Sequence, residues 1–155
     1  MILARIIRPL LKFTLQPYFR LKRGQTLGVR GVVVDGDNKV LLVRHTYAPG
    51  WMFPGGGVEH NETLEMALAK ELDEEVGVTL RNQPELFAIY ANFQHFKGDH
   101  VVLFIVREWD KVDRSCLEIA EARFFDLDNL PEEITSGTNA RLQEIFSNVK
   151  PAQQW

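Results

Sequence analysis

The sequence predicts an α/β domain that follows a short basic extension. Three observations indicate this class: a glycine-rich turn leads into one amphipathic helix, short β-rich segments lie on both sides of that helix, and the two element types do not alternate strictly. The chain has 155 residues, which suffices for one buried core. We expect residues 26–155 to form one domain and residues 1–25 to lie outside it.

Composition and charge narrow the functional class. The apolar fraction of 45% and the charged fraction of 25% are ordinary for a soluble globular protein. A net charge of -3 gives no support for general nucleic-acid binding. Cys116 is the one cysteine, so no internal disulfide can form, which suits a reducing cytoplasm. We therefore expect a cytoplasmic protein.

Residues 1–23 are predicted to form an amphipathic basic helix, interrupted or restarted at Pro9. They contain six cations and no acid: Arg5, Arg8, Lys12, Arg20, Lys22 and Arg23. They lack the run of about 20 apolar residues that spans a membrane. They also lack the uninterrupted apolar region of a secretory signal peptide. Three interpretations stay open: packing on the same domain or on a second copy in a homodimer, weak contact with an anionic membrane surface, and a targeting peptide.

The segment before the central helix is rich in β-formers. A strand is predicted over residues 27–34, a hairpin turn over 35–38, and the antiparallel partner of that strand over 40–43. Arg44 and His45 follow where that strand is predicted to end. A loop then leads to a short extended piece, Trp51 to Phe53, just before the glycines.

The segment after the central helix mixes strands with helical turns. Strands are predicted at three places: residues 86–93, 101–106 and 123–125. A turn of helix is predicted over 126–130. A final helix is predicted over 138–149 and is stopped by Pro151.

The central helix has clear end signals and two distinct faces. Thr63 is the predicted N-cap and Gly77 the predicted C′ residue. At 100° per residue, one stripe faces the core, and it consists of Leu68, Ala69, Leu72 and Val76. The adjacent side carries Glu71, Glu74 and Glu75, with Ala67 one turn above Glu71 and predicted to leave open space.

The three neighbouring glutamates work against helix stability. Like charges at i,i+4 cost roughly 0.2–0.5 kcal/mol per pair, and carboxylates near the C-terminal end oppose the helix dipole by roughly 0.3–1 kcal/mol each. A solvated acidic face is one interpretation. A site for Mg²⁺ or Mn²⁺ is the other, because these cations prefer oxygen ligands from a few carboxylates, water and phosphate.

A 23-residue pattern around this helix is similar to the Nudix box, G-x5-E-x7-R-E-U-x-E-E-x-G-U, where U is a bulky apolar residue. The chain supplies Gly56, Glu62 and then residues 70–78, which read KELDEEVGV. Lys70 stands where the pattern has Arg. The chain therefore resembles the Nudix (MutT-like) hydrolases over residues 26–148.

The resemblance implies a mixed sheet between helices, as an α/β/α sandwich, and a metal-dependent site. It assigns Glu71, Glu74 and Glu75 as ligands of Mg²⁺ or Mn²⁺, with the carbonyl of Gly56 or of neighbouring Gly55 as a further ligand. Glu71 or Glu74 is the first candidate for the general base that takes a proton from water. In some relatives an acid on a later loop has this role, and Glu118 and Glu121 are the candidates here.

Supporting and substrate-binding roles are also expected from the resemblance. Glu62 and Lys70 pair to fix the box loop against the helix, with Lys making a single contact where Arg would make two. Arg44 contacts a substrate phosphate or makes a surface salt bridge. Trp51 and Phe93 stack on a base or serve as core and loop anchors.

The expected activity is hydrolysis of the pyrophosphate linkage in a nucleoside diphosphate joined to another moiety. The partner is thus a small nucleotide-type substrate whose second moiety stays open. Two alternatives remain: a nucleotide-binding or regulatory module of the same fold without turnover, and a membrane-surface hydrolase of a lipid-linked pyrophosphate that relies on residues 1–23.

Overall fold

A computed structural model describes residues 24–155, so the helix expected within residues 1–23 lies outside the described residues. The described part contains eight strands and two helices. In chain order these are β1 (Thr26–Val33), β2 (Val40–His45), β3 (Trp51–Met52), α1 (Leu64–Val76), β4 (Val78–Leu80), β5 (Glu85–Ala91), β6 (Asp99–Val106), β7 (Trp109–Lys111), β8 (Ile119–Phe125) and α2 (Ser136–Phe146).

The strands form three small sheets with both parallel and antiparallel pairs. The first has the order β1-β6-β5, in which β1 runs parallel to β6 and β5 runs antiparallel to it. The second has the order β3-β2-β8 and is antiparallel throughout. The third pairs β4 with β7. The predicted mixed sheet is confirmed.

Two apolar cores lie on opposite faces of the strands because successive side chains of a strand point to opposite sides. On one face, Leu68 and Leu72 of α1 pack with Val29 of β1. On the other face, Leu142 of α2 packs with Val32 of β1. The strands therefore lie between α1 and α2, which is the predicted α/β/α sandwich.

The end signals predicted for α1 are confirmed. The Thr63 side chain accepts a hydrogen bond from the Met66 amide at 3.2 Å, and Gly77 has the left-handed conformation with φ of 65°. The prediction of open space at Ala67 is wrong, because its side chain is fully buried beside Leu68. A helix that packs on a sheet buries a stripe at least about 100° wide, and position 67 falls within it.

The predicted hairpin between β1 and β2 is right at its turn and wrong beyond it. The Asp35 carboxylate accepts hydrogen bonds from the Asp37 and Lys39 amides, as in a tight turn. Only one bridge, Val34 to Val40, joins the two strands within the described part of the chain. The reason is that residues 54–58, the glycine loop, occupy this edge of β1.

Three backbone hydrogen bonds attach the glycine loop to β1. The Val29 amide donates to the Gly56 carbonyl, the Gly31 amide to the Pro54 carbonyl and the Val58 amide to the Leu27 carbonyl, at 2.8–2.9 Å. The loop therefore lies where the second strand of the hairpin was expected.

Other boundaries differ from the sequence predictions. The last helix, α2, begins two residues earlier and ends three residues earlier than predicted, with Thr135 as its N-cap. Residues 126–130 form a hydrogen-bonded turn and no helix, so that prediction is wrong. The three-residue strands β4 and β7 were not predicted, since so short a run has little periodicity. None of the helices within residues 24–155 has the length and apolarity needed to cross a membrane.

Candidate active site

The glycine loop, β1, α1, the end of β2, the start of β6 and the loop before β8 line an open cavity of about 460 Å³. We call it the carboxylate cleft. Its lining includes four carboxylates: Glu71 and Glu75 of α1, Asp99 at the start of β6, and Glu118 just before β8. Its other prominent groups are the glycine loop, the rings of His45 and Tyr47, and the side chain of Arg30.

Glu71 lies directly against the glycine loop. A Cβ atom on Gly56 would overlap the Glu71 carboxylate, so a side chain at this position would displace that carboxylate from the loop. Partial burial raises the pKa of the Glu71 carboxyl, and Glu74 adds to the rise while Lys70 and Arg30 oppose it. The helix therefore places one oxygen-rich side chain beside the loop backbone.

Glu75 is the buried member of the three box glutamates. Its Oε2 accepts a hydrogen bond from the Gly55 amide at 2.8 Å, and its Oε1 lies 3.8 Å from Nε2 of His45. Burial raises the pKa of Glu75 to about 7, against the opposing effects of the Gly55 amide and Arg30. Glu74, by contrast, is exposed and does not line the cleft. One helix thus presents three carboxylates in three environments.

A charged contact connects the loop before α1 to the helix. Lys70 Nζ donates to Glu62 Oε1 at 2.8 Å and lies 3.3 Å from Glu59. Glu62 Oε2 in turn accepts from the Glu59 amide at 2.9 Å. The hydrogen bond from Lys70 lowers the pKa of Glu62, and the same bond raises the pKa of Lys70. The predicted pairing of Glu62 with Lys70 is thus present in the structure.

The donor set of the cleft fits a hard divalent cation. It consists of carboxylate oxygens and backbone carbonyls, the ligands that Mg²⁺ and Mn²⁺ prefer. A cation beside Glu75 would favour the charged form, which burial disfavours. No set of three His, Cys, Asp or Glu side chains within residues 24–155 is close enough to hold one metal ion by itself. Mg²⁺ commonly uses one or two carboxylates and completes its shell with water and substrate phosphate.

The Gly56 carbonyl is only partly available as a ligand. It accepts a hydrogen bond from the Val29 amide at 2.9 Å. A carbonyl oxygen has two lone pairs, so one remains for a cation. The sequence prediction of a Gly56 or Gly55 carbonyl ligand is compatible with this geometry.

The structure separates the predicted substrate-binding residues from the carboxylate cleft. Arg44 forms an ion pair with Glu121 at 3.0 Å and lies over the Trp51 ring. Trp51 is only 6% exposed and packs edge-on against Phe125 in the core. Phe93 is 53% exposed in the loop after β5. The structure thus contains the salt-bridge alternative for Arg44 and the core alternative for Trp51.

Of the two acids proposed on the later loop, the structure brings one to the cleft. Glu118 lines it, whereas Glu121 pairs with Arg44 and with Arg123. Burial raises the pKa of Tyr47, and Glu118 adds to that rise. Burial also lowers the pKa of His45, with Arg30 acting in the same direction.

Arg30 was missed by sequence reasoning. It lies on β1 between buried Val29 and buried Gly31, and its buried Nη1 has no hydrogen-bond partner within residues 24–155. Burial lowers the pKa of its guanidinium, and the carboxylates of Glu75 and Glu71 oppose this. The signal was one cation inside an otherwise apolar strand, which is unusual unless the charge meets a partner.

Comparisons with known proteins agree with this geometry. The family model described as the NUDIX domain matches residues 24–144. The chain is 32% identical over 119 residues to an ADP-ribose pyrophosphatase of Methanocaldococcus jannaschii, which covers 74% of this chain and 69% of that protein. It is 39% identical over 85 residues to an 8-oxo-dGTP diphosphatase of Proteus vulgaris, covering 51% of this chain and 73% of that one.

A solved structure supports the fold. The crystal structure of a MutT NUDIX hydrolase from Burkholderia pseudomallei superposes with a TM-score of 0.68 at 23% identity, covering 78% of this chain and 98% of that one. At this identity the likeness establishes the arrangement of helices and strands and nothing about substrate.

Proposed function

This chain belongs to the Nudix hydrolase family, and we propose that it cleaves the pyrophosphate linkage of a nucleoside diphosphate joined to a second moiety. The products would be a nucleoside monophosphate and the phosphorylated moiety. The observation that carries the proposal is the contact of the box helix with the glycine loop, which holds Glu71 against Gly56 and Glu75 against Gly55. Both carboxylates thereby line one open cleft.

We propose Glu71, Glu74 and Glu75 as the residues that would hold Mg²⁺ or Mn²⁺, together with the carbonyl of Gly56 or Gly55. A bound divalent cation would supply neutralisation of phosphate charge and support for the leaving group. Lys70 and Glu62 are positioning residues, since their hydrogen bond joins the loop to the helix without entering the cleft.

Hydrolysis also needs a group that takes one proton from water as its oxygen adds to phosphorus and the bridging oxygen leaves with the bonding electrons. Glu71 and Glu74 are our first candidates. Glu118 is the alternative from the later loop, because it lines the same cleft and, unlike Glu121, has no ion pair with Arg44. Its carboxylate oxygens would accept the proton directly or through a second water.

The experiment is a screen for hydrolysis with product separation. ADP-ribose, NADH, dinucleoside polyphosphates, nucleotide sugars, nucleoside triphosphates and 5′-triphosphorylated RNA would each be incubated with Mg²⁺, with Mn²⁺ and with a chelator. We expect metal-dependent cleavage of at least one compound between two phosphorus atoms. Glu71→Gln should abolish it, whereas Glu65→Gln is the matched control because Glu65 lies on the same helix outside the cleft.

The same screen separates the alternatives that the sequence left open. Nucleotide binding without cleavage of any compound would indicate a binding module. A lipid-linked pyrophosphate presented in liposomes is added to the same panel, and cleavage restricted to that compound would indicate a membrane-surface enzyme. Cleavage that persists in chelator would contradict the proposed role of the carboxylates.

A further inference from the structure

A second cavity, of about 250 Å³, adjoins the carboxylate cleft on the α2 side of the strands. We call it the aromatic cavity, because Trp155 is part of its lining. Arg30 and Asn92 line both the aromatic cavity and the carboxylate cleft, so these two side chains form the shared wall.

Both residues of the shared wall carry a buried polar atom without a partner. Within the described residues, neither Nη1 of Arg30 nor Oδ1 of Asn92 makes a hydrogen bond. Leaving such a group unpaired costs roughly 1–3 kcal/mol, and more for a charged one. One atom is a cationic donor and the other is an acceptor, so together they suit a ligand that has an anionic oxygen and a nearby hydroxyl or amino group.

The orientation of the Asn92 amide is fixed by its neighbours. Its Nδ2 donates to Asp99 Oδ2 at 2.7 Å, and a carboxylate accepts hydrogen bonds only from donors. Asp99 Oδ1 is itself engaged by the Thr26 hydroxyl at 2.6 Å. Oδ1 of Asn92 is therefore an acceptor, and it is held in place without a donor of its own.

Trp155, in the segment 151–155, forms another wall of the aromatic cavity. The Trp155 amide donates to the Ala91 carbonyl at 3.0 Å, and the Trp155 ring packs edge-on against Tyr90 with centroids 5.5 Å apart. The indole lies so close to Gly137 that a Cβ there would overlap it. Arg141 also donates to the Gln154 carbonyl at 3.1 Å. Trp155 is thus a fixed aromatic wall.

We propose that Arg30 binds the phosphate of the nucleotide half of the substrate and that the aromatic cavity takes the sugar or base ring attached to that phosphate. This inference rests on the proposed function. A cavity of about 250 Å³ equals about eight water volumes of about 30 Å³ each, which suits one ring better than a whole dinucleotide. Trp155 offers an apolar face to the ring, and Asn92 accepts from its hydroxyl or amino group.

The negative charge of the carboxylate cleft supports a phosphate-binding role for Arg30. The carboxylate cleft concentrates negative charge from its four carboxylates, Glu71, Glu75, Asp99 and Glu118, which would repel a substrate anion. A guanidinium remains protonated at neutral pH and can make two parallel hydrogen bonds to phosphate. Arg30 therefore gives a phosphate on the α2 side a counter-charge that belongs to the chain itself.

The test is calorimetric titration of the full chain, with Mg²⁺ present, using three probes: inorganic phosphate, ribose 5-phosphate and adenosine monophosphate. We expect affinity to rise in that order. Arg30→Gln should weaken binding of all three by about 10-fold or more, because it removes a charge-assisted hydrogen bond to the phosphate. Arg30→Lys should recover part of that loss. Arg107→Gln, an exposed arginine outside both cavities, is the matched control.

A second pair of variants tests the aromatic cavity independently. Trp155→Ala and Asn92→Ala should weaken the two ring-containing probes and leave inorganic phosphate unchanged. Thermal melts of each variant establish that it is folded. With a cognate substrate, Arg30→Gln should raise KM more than it lowers kcat, since the residue holds the nucleotide half.

The outcomes distinguish this inference from the proposed function. Unchanged affinities in folded Arg30→Gln would overturn the inference even in an active hydrolase. Nη1 of Arg30 and Oδ1 of Asn92 would then bind water only. Equal binding of phosphate and adenosine monophosphate would overturn the assignment of the aromatic cavity. Conversely, graded binding that depends on Arg30 and Trp155 would support the inference in a chain that hydrolyses nothing.

Discussion

At the scale of single residues, the three box glutamates show how one helix supplies carboxylates of different character. Glu75 is buried, Glu71 is half-buried against the loop, and Glu74 is exposed. Their spacing places like charges at i,i+3 and i,i+4, so each destabilises the others. A cation bound among these carboxylates would offset their mutual repulsion.

Replacing Glu74 by Gln removes one negative charge and keeps the size of the side chain. We expect turnover to fall by about 10²-fold or more, with weaker metal binding, as for other losses of positioned catalytic groups. Folding should survive, and stability without metal should rise slightly because a repulsion is relieved. Steady-state kinetics over a Mg²⁺ titration, with thermal melts in chelator, measure both effects. Unchanged turnover at saturating Mg²⁺ would remove Glu74 from the site.

Replacing Lys70 by Arg restores the residue of the family pattern. The ammonium now bridges Glu62 and Glu59 at 2.8 and 3.3 Å, whereas a guanidinium could grip Glu62 with two parallel hydrogen bonds. We expect turnover equal to or above that of the parent, measured on the cognate substrate, with Lys70→Met as the variant that loses the contact. A large loss in Lys70→Arg would mean that the loop geometry depends on lysine.

The sequence revealed the box residues because their spacing along one helix is local and fixed. Arg30 could not be found in the same way, since its proposed role depends on the two cavities that its side chain lines. Similarly, the sequence offered Arg44 two partners, and only the pairing of β2 with β8 brings Glu121 to it. Local patterns thus predict a helix face, whereas contacts between strands require the fold.

At the scale of elements, the glycine loop is the piece that joins the sheets. It bonds to β1 by three backbone hydrogen bonds and to α1 through Gly55 and Glu75. This explains why the predicted hairpin is incomplete, since a loop fills the strand edge. A turn signal such as residues 35–38 predicts a reversal of the chain, but it does not reveal what competes for the edge beyond it.

Gly55→Ala tests the tight fit of this loop. Gly55 has φ of 135°, and a Cβ there would overlap the Val29 carbonyl oxygen. Backbone strain of this kind costs about 1–3 kcal/mol and the overlap adds to it, so we expect at least about 2 kcal/mol of destabilisation. Urea unfolding measures it. Gly57→Ala is the control from the same loop, where a Cβ would meet nothing within 4 Å, and an equal loss there would contradict the argument.

Helix α2 contains a buried ion pair that fastens the segment 151–155. Glu144 accepts hydrogen bonds from Tyr90 Oη at 2.7 Å, Arg141 Nη2 at 2.7 Å and the Ala152 amide at 3.0 Å. Burial raises the pKa of the Glu144 carboxyl, but these three donors outweigh it, and the pKa lies below its usual value. The charged form is therefore the one that the fold stabilises.

A lowered pKa in the folded state fixes the sign of the pH effect. The stability from Glu144 is fully present above the unfolded carboxyl pKa of about 4.3 and is lost as the pH falls through the lower folded value. Glu144→Gln should lose that part of the acid sensitivity. It should also lower the unfolding free energy at pH 7 by about 3 kcal/mol or more, because Arg141 is left buried without its partner. Urea titrations at several pH values measure this, with exposed Glu132→Gln as the control; equal effects in the two variants would contradict it.

At the scale of the whole molecule, the order of the strands is the feature least accessible from sequence. The parallel pair of β1 with β6 joins Thr26 to Asp99, far apart in the chain, and no local pattern encodes such a contact. The resemblance to a family, more than the periodicity, led to the sandwich.

The layer that contains α1 does not extend over β5. Leu86 and Ile89 of β5 pair with Phe104 and Val102, whose side chains face α1, yet both are more than half exposed. Phe93 and Phe96 in the following loop are 53% and 62% exposed. Contiguous exposed apolar residues on a folded domain usually mark a surface that something covers.

Deletion of residues 1–23 tests whether that part of the same chain covers this surface. The Thr26 amide donates to the Gly98 carbonyl, so the residues before β1 begin beside the loop with Phe93 and Phe96. As a helix, 23 residues would reach about 35 Å, enough for the seven residues of β5, at about 23 Å. Each apolar side chain buried there would contribute about 1.5–3 kcal/mol before entropic costs, so we expect the truncated chain to melt at a lower temperature and still bind Mg²⁺.

Ile89→Ser makes the deletion test specific to this surface. In the full chain it should lower the melting temperature, whereas in the truncated chain it should have little effect, since the contact is already gone. Val149→Ser, which is 52% exposed elsewhere, is the control in both backgrounds. Light scattering adds the oligomeric state, and a dimer that dissociates on truncation would place a second copy on the surface. If the truncated chain keeps the parent's melting temperature and mass while losing binding to anionic liposomes, packing on the domain is refuted, because the apolar stripe of residues 1–23 is then covered by lipid.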